Sequence, residues 1–124
     1  MKYIALVYTD NNLLSAVPQQ EFNATMRDCL EKADSMKQKG QVLDFQQLES
    51  TSTAKSMRVR NGKRTIVDGP FAETKEVLGG FNIIEADSME EAIRLASEFP
   101  WAEVGCIEVR PLKEIAQVRR QVAV

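Results

Sequence analysis

Two kinds of apolar periodicity alternate along this chain, and their order restricts the fold more than any single residue does. Alternation by twos marks strands at 2–8, 41–48, 81–86 and 104–109, and steps of three and four mark helices at 18–39 and 89–99. In the first strand Ile4, Leu6 and Tyr8 face one way while Tyr3, Ala5 and Val7 face the other, so both faces are apolar and both need cover. The first helix has Pro18 in its opening turn, Gly40 just past its end, and one stripe formed by Phe22, Met26, Cys29, Ala33 and Met36. In the second strand Leu43 and Phe45 share a face. A polar loop at 50–56 leads to a hairpin of 57–60 and 63–68, turned by Asn61-Gly62, whose residues tolerate the positive φ that a two-residue turn demands. In the third sheet strand Phe81 and Ile83 face opposite to Ile84 and Ala86. Ser88 and Glu91 have capping-box spacing before the second helix, whose buried side is read as Met89, Ala92, Ile93, Ala96 and Phe99, with Pro100 ending it. After Pro111, Leu112, Ile115, Val118 and Val122 roughly share the face of a short terminal helix.

The order is β-α-β, hairpin, β-α-β. In 124 residues this is one α+β domain, a ferredoxin-like split βαβ subunit with both helices on one face of an antiparallel sheet. The opposite sheet face keeps its apolar side chains, so a second copy packed sheet to sheet is expected, giving a homodimer.

Composition narrows function mainly by exclusion. Histidine is absent, which removes histidine triads, histidine-ligated zinc and the usual general base near neutral pH. The net charge of −2 offers no general attraction for nucleic acid, and no apolar run approaches the roughly 20 residues that cross a bilayer. The short apolar N-terminus lacks the form of a signal peptide, so a cytoplasmic location is expected. Cys29 and Cys106 have no metal-type spacing, and both are expected to be buried thiols. No cofactor-binding pattern and no metal-ligand cluster stands out.

The unusual stretch is Asp68-Gly69-Pro70-Phe71-Ala72-Glu73-Thr74-Lys75-Glu76, followed by Gly79-Gly80-Phe81. It sets a carboxylate at a rigid strand-to-loop junction beside Glu73 and Lys75, an arrangement suited to holding an acid or base in place. The same residues also make sense as a turn cap, a core anchor and a solvated ion-pair network. Arg58 and Arg60 share a strand face and, with the hairpin in register, are expected near Asp68, so Arg58, Arg60, Gly69, Pro70, Phe71, Glu73 and Lys75 form the candidate binding set for an anionic small molecule, with Asp68 the candidate catalytic acid or base. A basic hairpin is equally a solvated edge that resists aggregation.

These residues resemble the signature of the DGPF proteins of the YCII-related family. Met57-Arg58-Val59-Arg60-Asn61-Gly62 and Gly105-Cys106-Ile107-Glu108-Val109-Arg110-Pro111 extend the resemblance over 1–112, leaving 113–124 as a C-terminal tail. The resemblance implies ferredoxin-like subunits joined in a dimeric α/β-barrel. It also implies a histidine–aspartate pair in members of the YciI type. Asp68 matches that aspartate, and the histidine has no counterpart in this chain. Some DGPF proteins are encoded beside extracytoplasmic-function sigma factors, so a sigma factor is a partner by family association only. Three functions stay open on this reading: a small-molecule binding or accessory protein, a cofactor-independent enzyme using Asp68, and a protein-interaction module.

Overall fold

The computed structural model describes all residues, 1–124. In chain order the elements are β1 (Lys2–Thr9), α1 (Asn11–Ser15), α2 (Gln19–Gln38), β2 (Val42–Gln47), a 3-10 turn (Thr51–Thr53), β3 (Lys55–Arg60), β4 (Lys63–Asp68), β5 (Val77–Glu85), α3 (Met89–Ala96), α4 (Trp101–Val104), β6 (Cys106–Pro111) and α5 (Ile115–Val122). Four strands form an antiparallel sheet in the order β2-β5-β1-β6, and β3 and β4 pair only with each other. β5 lies between β1 and β2, which is the split βαβ arrangement read from the sequence.

Local chemistry sets most element ends. Gly40 takes φ +74°; its N–H donates to the Lys37 carbonyl and that of Gln41 to the Met36 carbonyl, a Schellman closure of α2. Ser88 Oγ accepts from the Glu91 N–H at 3.1 Å, and the Glu91 carboxylate reaches back to the Asp87 N–H at 3.0 Å. Asn61 and Gly62 take φ of 53° and 73°, both left-handed as the tight turn requires.

The core lies on one face of the sheet. Tyr3, Ala5 and Val7 of β1, Val42 of β2 and Ile84 of β5 pack against Cys29, Ala33 and Met36 of α2, Ala92, Leu95 and Ala96 of α3, and Phe99 and Trp101 beyond it. Alanines at 5, 33, 92 and 96 let the helices approach the sheet closely, and Phe99 and Leu95 fill the space between.

Four sequence expectations need correction. Leu43 does not share a face with Phe45, because a register shift between Val42 and Asp44 lets Leu43 bulge outward and turns Val42 into the core. Ile93 is 51% exposed and Leu95 is buried instead; 92, 95, 96 and 99 are the helical steps that meet the sheet. The helix expected to reach residue 99 ends at Ala96: Glu98 and Phe99 bond back only three residues, and Pro100 starts the separate α4. Cys106 is exposed, since it pairs with Tyr8 on the sheet face away from the helices. The structure also adds α1, whose N-cap Asp10 accepts from the Asn12 N–H.

That outer face is apolar along its middle and polar at its edges. Ile4, Leu6 and Tyr8 of β1 pair with Ile83, Phe81 and Leu78 of β5, all half-buried, while Gln46 on β2 and Glu108 and Arg110 on β6 flank them. The helices with the most contacts to the sheet, α2, α3 and α4, pack their buried residues on the other face.

Candidate functional site

On the helix side of the sheet, a cleft of about 270 Å³ opens between the strands and helices α1 and α2. Its floor comes from Val7 and Thr9 of β1, Gly80 and Asn82 of β5, and Phe45 and Gln47 of β2. Its walls are Leu14 of α1, Phe22, Met26 and Cys29 of α2, and Trp101. Gly80 lets β2 and β5 approach closely in the floor: a Cβ there would meet the Gln46 carbonyl oxygen at 2.7 Å.

The polar groups in this cleft are few and placed with purpose. Asn82 is only 7% exposed, lies in mid-strand opposite Ala5 and Phe45, and lines the cleft. Thr9 is similarly buried at the far end of the floor, four residues along β1 from Ala5, with its hydroxyl next to Gly79. Trp101 Nε1 donates to Cys29 Sγ at 3.1 Å, which fixes the indole as a wall, and the Phe22 ring lies 6.1 Å from it at a 48° tilt. Burial pushes the Cys29 thiol above its ordinary range; the Trp101 bond opposes that rise and the Asp28 charge adds to it. The sulfur is therefore a protonated, unreactive lining group. Gln47 donates to Met26 Sδ at 3.0 Å across the cleft.

The residues singled out from the sequence lie elsewhere. Asp68 ends β4 with its side chain 84% exposed and ion-paired to Lys55, its cross-strand partner. Arg58 pairs with Thr65 and Arg60 with Lys63 near the turn, so Arg58 stands three residues, roughly 10 Å, up the ribbon from Lys55. The register thus corrects the expected meeting of Arg58 and Arg60 with Asp68. Gly69 takes φ +95°; its N–H donates to the Ala54 carbonyl and its own carbonyl accepts from Ser56 Oγ, which ties the base of the hairpin to the loop. Pro70, Glu73 and Lys75 are exposed, and Phe71 is 82% exposed, so it is no core anchor. None of these residues lines the cleft.

A larger open groove of about 1150 Å³ runs between Met1, Lys2, Glu85 and the tail from Leu112 to Gln121. Its walls are mainly exposed residues of a helix that buries no side chain, and it holds no buried polar group, so the smaller cleft is the better-formed site. No group of three or more His, Cys, Asp or Glu residues is close enough to hold a metal ion, and no helix is long and apolar enough to cross a membrane.

The sequence model of the YCII-related domain matches residues 1–116. The chain belongs to the YCII-related family. An uncharacterised protein of Rhizobium meliloti (strain 1021) is 36% identical over 114 residues, covering 90% of this chain and 92% of that protein. Among solved structures, this YCII-related chain resembles 5-chloro-2-hydroxyhydroquinone dehydrochlorinase of Burkholderia phenoliruptrix, in complex with 2,5-dihydroxybenzoquinone, with a TM-score of 0.55 and 15% identity over 92% of this chain and 95% of that one. At that identity the likeness is one of fold.

Asn82 and its cleft were missed in the sequence. The available signal was a single amide inside the apolar run Phe81-Asn82-Ile83-Ile84, where a polar side chain needs a reason to be buried.

Proposed function

We propose that this protein binds a small molecule in the helix-side cleft and works as a homodimeric binding or accessory protein of the cytoplasm. The observation that carries this reading is Asn82: a side-chain amide only 7% exposed, set in mid-strand on the floor of a cleft whose walls are mainly aromatic and thioether groups, the form of a site with few orienting polar groups. The aromatic and thioether walls supply the apolar contact, and the small volume suits a compact ligand. The dehydrochlorinase of like fold was solved with a ligand of one six-membered ring, which agrees in size with this cleft. Asp68, exposed and paired with Lys55, lacks the enclosed surroundings that tune a carboxylate for proton transfer.

A thermal-shift screen of small aromatic and alicyclic compounds tests this. Compounds that stabilise the protein should lose their effect in Met26→Trp, which fills the cleft. Stabilisation that persists in that variant places binding elsewhere and removes the cleft from the function.

A further inference from the structure

The cleft is lined by 16 residues, and not one is Asp, Glu, Lys or Arg. In a chain with 34 such residues among 124 this is a marked segregation, and it decides what the site admits. Its only ionisable wall group, Cys29, is held protonated by burial. Lys37 stands over the Phe45 ring at 6.0 Å but does not line the cleft. An ionic ligand would leave water without meeting an opposite charge, which is strongly unfavourable, whereas a neutral polar group loses little if it is hydrogen-bonded.

We infer that the cleft selects an uncharged, ring-sized molecule carrying a hydroxyl or carbonyl group that Asn82 recognises, and discriminates against carboxylates, phosphates and amines. The Asn82 amide both donates and accepts, so it accommodates either group. A volume of about 270 Å³ exceeds the roughly 150 Å³ apolar cavity that accepts benzene. The ring faces of Phe22, Phe45 and Trp101 supply flat apolar contact for the rest of the molecule. This selectivity rests on the small-molecule reading above and adds the class of ligand to it.

Three probes of nearly equal shape separate the ideas: benzyl alcohol, benzoate and benzylammonium, titrated at neutral pH against the intact protein while the Asn82 side-chain amide and Trp101 indole signals are followed by NMR. Benzyl alcohol should shift both signals and bind at least about tenfold more tightly than either ion. Asn82→Leu should weaken benzyl alcohol about tenfold while leaving toluene bound as well or better. If an ion binds as tightly as benzyl alcohol with the same shifts, the selectivity is wrong and the cleft stands. If all three leave both signals unmoved, the small-molecule reading and the selectivity fall together. If Asn82→Leu binds benzyl alcohol like the parent, the assigned recognition by Asn82 is overturned.

Discussion

Gly105 precedes β6 at a point where a Cβ would sit 2.1 Å from the Tyr8 carbonyl oxygen, a contact no side-chain movement can relieve because both atoms belong to fixed backbone. Gly105→Ala is therefore expected to lower stability by about 1–3 kcal/mol, read as a lower urea midpoint at unchanged slope. The two cysteines should separate cleanly in reactivity. Cys106 on the open sheet face should react with a thiol reagent in the native protein, and Cys29 only at the rate of unfolding. Equal native rates would contradict the placement of Cys29 under Trp101. Cys29 also has a pH signature. Because burial raises its pKa, the folded protein keeps a proton that the unfolded chain releases, so its effect on stability is nil below the ordinary thiol range and turns unfavourable as pH climbs beyond about 8.5. Cys29→Ala should flatten the alkaline fall in stability relative to the parent. Single residues were legible from sequence where their role is local: Gly40, Asn61, Gly62 and Ser88 each serve a turn or cap within a few positions. Cys106 was misread because its face depends on its pairing with Tyr8 across the sheet.

Helix α3 shows how far an element can be read alone. Its start is set by Ser88 and Glu91, and Ser88→Ala is expected to cost about 1 kcal/mol, measured by thermal or urea unfolding. Its buried face and its end were harder to read, because Ile93 and Leu95 are equally apolar and only the position of the sheet decides that Leu95 turns inward. β2 makes the same point, since the bulge at Leu43 is fixed by pairing with β5 rather than by the composition of β2. The β3–β4 ribbon is the opposite case, fully legible at its turn but without cover. Met57, Val59 and Ile66 share one exposed face, and a two-stranded ribbon is marginally stable by itself. The ribbon carries Lys55, Arg58, Arg60, Lys63 and Arg64 against Asp68, in a chain whose net charge is −2, so the remainder is acidic.

For the whole molecule, the uncovered strip of Ile4, Leu6, Tyr8, Leu78, Phe81 and Ile83 with polar flanks has the make-up of a self-complementary interface. Replacing Phe81 with Lys should shift the protein from dimer to monomer by light scattering while its far-UV circular dichroism is retained; a parent protein that is monomeric at micromolar concentration would remove the proposed homodimer. The sequence alone determined the element order, the caps and turns, and the split βαβ topology, because periodicity, chain handedness and backbone conformational limits act over short stretches. Only the tertiary structure decided which apolar residues are truly inside, where the charged candidates of the hairpin stand, and that Asn82, Thr9, Phe22 and Trp101 share one uncharged cleft. These residues are separated by up to 92 positions in the chain, and what brings them together is strand pairing and helix packing, which no local pattern encodes.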